Sequence, residues 1–531
     1  MRLEYRLEPS WPVQAWLAEC ESNRVLVRHG RRVETRANWF CEAVWDGPFE
    51  RGDFDQTDIV AGSGGRLREV AVTFVPAGST LDRLQSMVMA PQDGTPARVL
   101  VSNSLACLVA AAGAKVKPSY RFYKRDLQSI IRGLKKYKKT LETSQGPVRL
   151  WYFHNVRWDG NGLTEVEKPG LGRDFSSFEK YHEFMTHSIR AVTANAADPA
   201  RTHSLGLMGT MSSGYDSTTV ATLAAPCGLR DVITFDQARG GDPDSGEVAA
   251  EHLGLNLHVV RRDGWRNETL EDDLPDVPFL TADGYGEDRF FLGARHHLRN
   301  RVLLTGYHGD KIWSKSPYKA DSLDPHPEIK RGDASGLSHT EFRLSVGFIN
   351  CPVPFWGCRQ IHEVIRISRD ASMKPWDVPG EYSRPICRRI CETAGIPRDA
   401  FGIAKRAGSI NERMVSEPSR MDYRAWCARN GIEGEVIDKV IRKGAKVIPE
   451  PVRTKMFFMF YSTRMPTYRD HYFPWALERR AALYLRGAQA AVNQRAAVTQ
   501  PRQPAESVEP GWDGPVAPPD RPAEDFMPAM V

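Results

Sequence analysis

Residues 204–260 constrain the fold of this chain more than any other stretch. Ser204 to Met211 is a short apolar run, closed by a Ser/Gly turn and followed by helical spacing from Ser217 to Ala225. Asp231-Val232-Ile233-Thr234-Phe235 reads as a second buried strand, Gly246 to Leu253 as a second helix, and Leu257-His258-Val259-Val260 as a third strand. Strand, helix, strand, helix, strand in roughly 57 residues requires right-handed crossovers and a parallel sheet. Such sheets bind ligands at the carboxyl ends of their strands. The turn after the first strand lies there.

That turn is Ser212-Ser213-Gly214-Tyr215-Asp216-Ser217-Thr218. Small residues let backbone N–H groups approach a phosphate, and the helix starting here adds its positive dipole end. Ser212, Ser217 and Thr218 contribute hydroxyl donors. Asp216 alone is a poor partner for an anion, but it makes sense as a carboxylate holding Mg²⁺ against phosphates. The loop is not G-x-x-x-x-G-K-[ST], which has no counterpart in the chain. An ordinary capped helix after a strand is the competing reading, since Ser and Asp are good caps.

The heptapeptide resembles the ATP-pyrophosphatase loop S-G-G-x-D-S of the synthetase domain in the asparagine synthetase family, with Ser213 for the first Gly. A second segment, Val302-Leu303-Leu304-Thr305-Gly306-Tyr307-His308-Gly309-Asp310-Lys311, is similar to that family's S-G-E-G-x-D-E pattern and follows at about the family's spacing of 90 residues. The resemblance makes Asp310 the second Mg²⁺ carboxylate. The flanking acids of the pattern are Tyr307 and Lys311 here, and Lys311 reverses the local charge. Thr340-Glu341-Phe342-Arg343 and Val353-Pro354-Phe355-Trp356 resemble the family's E-x-R-x-P-F-L-D segment. Ser383-Arg384-Pro385-Ile386, Gly395-Ile396-Pro397 and Phe401-Gly402-Ile403-Ala404-Lys405-Arg406 resemble the stretch that ends in R-x-K. By that likeness Lys405, with Arg406 as competitor, meets the charge that develops during amide formation. The four segments run in order over roughly residues 175–410.

The resemblance implies an α/β fold: a parallel-sheet PP-loop synthetase domain with a helical C-terminal part, preceded by a smaller α+β domain. It also implies chemistry. ATP is split between its α- and β-phosphates, a carboxylate becomes an acyl-adenylate, and ammonia or an amine displaces AMP. ATP and Mg²⁺ are the expected cofactors. The pyrophosphate falls to Ser212, Ser213, Gly214, Tyr215, Ser217 and Thr218, with Gly306 and Tyr307 from the second loop and Mg²⁺ on Asp216 and Asp310. Adenine is expected against Leu207, Met208, Thr234 and Phe235. Asp216, Asp310 and Lys405 are the expected catalytic residues.

Residues 1–172 alternate short apolar runs, such as Glu69 to Val75 and Arg98 to Val101, with Gly/Pro/Asp punctuation, a pattern of several strands. Val60 to Gly65 and Leu100 to Leu108 loosely resemble later strands of a class II glutamine amidotransferase domain. In glutamine-dependent relatives the mature chain starts with a cysteine whose α-amine is the base. Here Arg2 follows Met1, and Cys20 and Cys41 lie within the chain. The expectation is a degenerate amidotransferase-like domain without glutaminase activity. Helical spacing from Phe178 to Val192 opens the synthetase domain, assigned to 173–485. Pro474 to Ala497 reads as a terminal helix. Residues 486–531 are assigned to a Pro/Ala-rich disordered tail, because eight of the 36 prolines fall in its last 31 positions.

Composition narrows the class. Hydrophobic residues are 41% and charged residues 26% of the chain, as in globular proteins, which excludes a fibrous or wholly disordered protein. The longest apolar stretch, Ser104 to Val116, is too short to span a bilayer. There is no apolar signal segment near Met1, and nine scattered cysteines read as reduced thiols, so the expectation is cytoplasmic. Cys351, Cys358, Cys387 and Cys391 have the wrong spacing for zinc knuckles, and His296-His297 needs no metal. Lys115 to Lys139 carries ten Lys/Arg and one acid, interleaved with Tyr120, Phe122, Tyr123 and Tyr137. It keeps nucleic acid open as a partner, though a solvated face is favoured. Small-molecule or peptide carboxylates and amines are the expected partners, without a membrane, and a homodimer stays open. Two other functions stay in view: modification of tRNA or a nucleobase by the same adenylation, and a catalytically silent ATP-binding scaffold using Tyr307 and Lys311 for partners.

Overall fold

A computed structural model describes residues 1–91, 97–170, 172–238, 241, 243–268, 270, 273–315, 329, 333–380, 382–402, 415–432 and 468–499. Residues 1–488 form one compact unit; residues 489–531 form a second, of which the helix backbone to Thr499 is described. The candidate Lys405, its competitor Arg406 and the proline-rich stretch beyond 500 lie outside the described residues.

The amino-terminal strands build two sheets. The first has seven strands in the order Arg2–Leu7, Arg24–His29, Trp16–Glu21, Arg98–Ser102, Leu84–Met89, Gly146–Trp151 and Thr140–Thr143. The second has six: Leu163–Val166, Asn155–Trp158, Ala71–Val75, Val60–Arg68, Trp39–Trp45 and Glu34–Arg36. Pairing is antiparallel except at the edge strand Arg2–Leu7, which runs parallel to Arg24–His29. The sheets face each other through alternate apolar residues, as period-two strands require. Trp16, Ala18, Val25 and Val27 from one meet Phe40, Val72, Phe74 and Val156 from the other. The Trp16 ring lies edge-on to Phe40 at 5.0 Å and parallel to Phe74 at 6.1 Å, and its indole N–H donates to Ser63 Oγ at 3.1 Å.

The second half is a five-stranded, wholly parallel sheet ordered Asn256–Val260, Asp231–Phe235, Gly206–Thr210, Arg301–Thr305 and Ile349–Pro352. The three strands and two helices expected over 204–260 are present, with helices Tyr215–Ala224 and Glu247–His252. Chain order reverses on either side of Gly206–Thr210, so this strand is the topological switch point, where an open parallel sheet leaves a crevice at its carboxyl edge. Met208, Ile233 and Leu303 bury one face against Phe279, Phe291 and Phe342. Leu207, Val302 and Leu304 bury the other against Val220 and Ile312. Leu207 and Met208 are thus core residues in the body of the strand, whereas Thr234 and Phe235 stand at a strand's carboxyl end.

Sandwich and parallel sheet meet across buried charges. Arg343, on helix Thr340–Val346, donates to Glu42 Oε2 at 2.7 Å and to Asp82 Oδ2 at 2.9 Å. Ser63 and Asn103 add bonds to Glu42 at 2.5 and 3.1 Å, and Thr340 donates to Asp82 at 2.8 Å. Glu341 accepts from Ser104 at 2.8 Å and pairs with Arg480, which reaches Asp273 at 2.7 Å. The terminal helix Tyr472–Thr499 carries Arg480, so it closes this network.

Candidate functional site

The first loop lies between strand Gly206–Thr210 and helix Tyr215–Ala224. Gly214 is the residue before the helix and has no side chain with which to cap it, so the helix N–H groups are not claimed by a capping side chain. Ser212 braces the turn ahead of the helix. Its hydroxyl accepts from Gly214 N at 3.1 Å and meets Ser217 Oγ at 2.7 Å. Thr218 turns inward, donating to the carbonyls of Ser212 and Gly214, both at 2.8 Å. Ser212, Ser213, Gly214, Asp216 and Ser217 are half-buried, while Tyr215 and Thr218 are buried.

Tyr215 is an anchor rather than a lining residue. Its ring packs on Tyr382 and Phe401, and its hydroxyl accepts from Arg388 Nε at 2.8 Å. Gly402 N donates to Ser213 O at 2.8 Å, tying the segment before 403 to the loop.

The second loop, after strand Arg301–Thr305, rests directly on the first. A methyl group at Gly306 would sit 2.5 Å from the Asp216 carbonyl carbon, and one at Gly309 would sit 2.6 Å from Asp216 Oδ1. Only glycine permits such approaches. Between them His308 takes φ 77°, the left-handed region, and its ring stacks on Phe355 at 4.4 Å. The pattern S-G-E-G-x-D-E has glycine at that place, so this chain holds a side chain in a conformation glycine adopts freely. Tyr307 turns away from the first loop. Its hydroxyl donates to Asp288 Oδ1 at 3.2 Å and lies 3.2 Å from His339 Nε2. Asp288 also accepts from Gly336 N at 2.9 Å and Ser338 Oγ at 2.7 Å.

Both acids expected to hold metal have a cation beside them. Asp216 pairs with Arg384, which stands over the rings of Tyr215 and Tyr382 at 5.6 and 5.4 Å. Burial lowers the pKa of the Arg384 guanidinium, but Asp216 together with Cys387 and Tyr382 more than offsets it, and the net shift is upward. Burial first, and Asp216 among the neighbouring charges, pushes the Tyr382 hydroxyl up to about 12. Asp310 accepts from Lys311 Nζ at 2.7 Å. The donor set still suits Mg²⁺, which takes one or two carboxylates and completes its shell with phosphate oxygens and water. Among the described residues no cluster of three or more His, Cys, Asp or Glu side chains gathers.

No family model matches this chain, and no curated protein matches it either. The structure brings together Ser212, Ser213, Gly214, Asp216, Ser217, Gly306 and Gly309. Two contacts of the loop carry no cue in the sequence. Arg384 lies 168 positions from Asp216, and Asp244, whose Oδ1 accepts from Ser213 N at 3.1 Å and Ser213 Oγ at 2.6 Å, lies in a Gly/Asp/Pro turn. Only the third dimension pairs them with the loop. Phe235 packs edge-on to Phe290 and Phe291 at 4.6 and 5.1 Å, and Thr234 Oγ1 donates to Asp244 O at 3.4 Å.

Elsewhere, Cys20 and Cys41 are buried strand residues, and burial pushes both thiols up, Cys41 to about 12. Cys351, Cys358, Cys387 and Cys391 are buried too. In the basic stretch, Tyr123 and Tyr137 are buried and Tyr120 donates to Asp126 at 2.6 Å, so these aromatics do not form an open stacking platform. Phe122 remains half-buried under Arg121 and Arg125, at 5.0 and 4.3 Å. Among the described residues no helix is long and apolar enough to cross a membrane.

Proposed function

We propose that this chain is an ATP-dependent amide ligase of the asparagine synthetase type, forming AMP and pyrophosphate without glutaminase activity. It activates a small-molecule or peptide carboxylate as an acyl-adenylate for attack by ammonia or an amine, in the cytoplasm. One observation carries the reading. Two loops resembling one family's phosphate and metal loops, 94 residues apart at Asp216 and Asp310, touch through Gly306 and Gly309 at the carboxyl ends of neighbouring parallel strands. A helix-capping turn alone would not require the second loop to press there.

The pyrophosphate end of ATP meets the N-terminus of helix Tyr215–Ala224, with Ser212, Ser213 and Ser217 as hydroxyl donors. Ser212 and Ser217 orient one another through their 2.7 Å bond, which lowers the reorganisation needed when the anion arrives. Mg²⁺, when bound, would be held by Asp216 and Asp310 and would neutralise charge on the leaving pyrophosphate. Arg384 fixes the direction of the Asp216 carboxylate. Thr234 and Phe235 border the place where adenine would rest. Lys405 takes the role of countering charge at the tetrahedral intermediate.

Pyrophosphate release with Mg²⁺, screened over carboxylates, tests the reading. It must vanish in Asp216→Ala, and a wild-type protein that binds no ATP by calorimetry refutes it. A silent ATP-binding scaffold is the second reading, favoured by the cations already beside Asp216 and Asp310. ATP binding without pyrophosphate exchange across the same screen would select it.

A further inference from the structure

Two of the donors that the phosphate loop would offer to an anion, both on Ser213, are already answered by an anion. Asp244 Oδ1 takes both the backbone N–H of Ser213, at 3.1 Å, and its hydroxyl, at 2.6 Å. Asp244 is held there by its own segment. Pro243 bridges to Gln237, Thr234 Oγ1 donates to Asp244 O at 3.4 Å, and Gly246 lies so close that a methyl group on it would stand 3.0 Å from Ser212 N. The segment thus runs along the loop rather than brushing it. The hydroxyl bond belongs to this chain's own residue, because the resembling loop has glycine at position 213. A carboxylate on a backbone N–H and a hydroxyl is the arrangement that a phosphate oxygen would make, and both are charge-assisted contacts.

We propose that Asp244 is a resident anion of the phosphate loop, which sets the loop's affinity for polyphosphate because the incoming anion must displace it from Ser213. Its chemistry selects by charge. A monoanionic ligand gains little over the carboxylate it replaces, whereas pyrophosphate or the triphosphate of ATP brings several oxygens for one carboxylate lost. Apparent affinity then falls by the fraction of molecules in which Ser213 is released. The inference rests on the proposed reading of the loop as a pyrophosphate site.

Calorimetry on the full chain with inorganic pyrophosphate, and with ATP in MgCl₂, provides the test for wild type, D244A, S213G and the double variant. D244A should bind pyrophosphate about 10-fold tighter, and S213G, which loses only the hydroxyl bond, should tighten less. The double variant should gain no more than D244A alone, because both substitutions break one contact. Unchanged or weaker binding in D244A, beside a wild type that binds, overturns the inference and leaves the site intact. Additive gains overturn it as well. Failure of all four proteins to bind either ligand overturns the inference and the proposed site together.

Discussion

Two clusters of paired charges in this molecule look alike on paper and differ in what they can do. At the junction of the sandwich and the parallel sheet, Glu42, Asp82 and Arg343 are almost wholly buried, and Ser63, Asn103 and Thr340 answer further carboxylate oxygens. At the carboxyl edge of the sheet, Asp216 and Asp310 are half-buried, and Asp216 pairs with Arg384 and Asp310 with Lys311. A saturated, dry network resists exchange of partners, since each charge removed strands another. A pair whose carboxylate keeps part of its surface in water can trade its partner for a ligand at lower cost than a fully dry one. The first cluster holds the fold together; the second is where chemistry is available. Thr340 to Arg343 resembles part of the synthetase pattern, yet Glu341 and Arg343 serve the first cluster.

The sharpest break of this contrast is Asp216→Asn, which keeps the side chain's size and removes its charge. Turnover should fall at least ~1,000-fold, the scale of losing a charge that balances a leaving group. Pyrophosphate release and a denaturant curve, measured together, separate this loss from unfolding. Arg343→Met is the counterpart, stranding Glu42 and Asp82. It should cost about 3–5 kcal/mol in urea unfolding. Burial already raises the Glu42 pKa and Arg343 opposes that rise, so without Arg343 the carboxyl should bind a proton more readily. ATP affinity of the fraction still folded should be unchanged.

A third charge sharpens the contrast from the other side. Lys168 is buried like Arg343, but its Nζ donates to an amide, Asn155 Oδ1, at 2.8 Å. Its nearest acids are committed, Asp55 to Arg68 and Asp58 to Arg173. Burial lowers the lysine to about 7 from the 10.5 of an unburied group. Between those two values the unfolded chain holds a proton that the folded chain has shed. Stability should therefore rise with pH from about 7 toward 10.5, by roughly 1.4 kcal/mol per pH unit from this group. In Lys168→Met that slope should disappear, and an unaltered slope across pH 7–10 would show that Lys168 keeps its charge.

Sequence reading reached the parallel sheet because its strands are short apolar runs with helices between them, a local pattern with few solutions. Gly206–Thr210, Asp231–Phe235 and Asn256–Val260 all lie where the pattern puts them. The loop was legible for the same reason, since Ser212 to Thr218 is contiguous. The sandwich was visible only as several strands. Its pairing joins Trp16 to Ser102 and Gln85 to Leu150 neighbourhoods through contacts remote in the chain, which no local periodicity encodes. The contacts of Arg384 with Asp216 and of Asp244 with Ser213 are hidden from the sequence on the same ground. Tyr215 stands inside the motif, but its side chain is buried in the core while Gly214 and Asp216 beside it stay partly exposed.

The smallest expected effect discriminates most finely, and it uses the two glycines at the contact of the loops. In Gly306→Ala the added methyl meets backbone, the Asp216 carbonyl carbon at 2.5 Å and Ser217 N at 2.6 Å, which cannot yield without moving the loop. In Gly309→Ala the added methyl meets only the Asp216 side chain, Oδ1 at 2.6, Cγ at 2.7 and Cβ at 2.9 Å, so the carboxylate must turn aside and the Cβ give slightly. Gly306→Ala should therefore lower both stability and turnover, the former by about 1–3 kcal/mol as for other overpacked sites. Gly309→Ala should keep its melting temperature near that of wild type and lose about 10-fold in kcat/KM, or ~1.4 kcal/mol, as the carboxylate leaves its place beside Arg384. If Gly309→Ala melts as early as Gly306→Ala, the Asp216 carboxylate is clamped as rigidly as Glu42, and the half-exposed cluster belongs with the structural one.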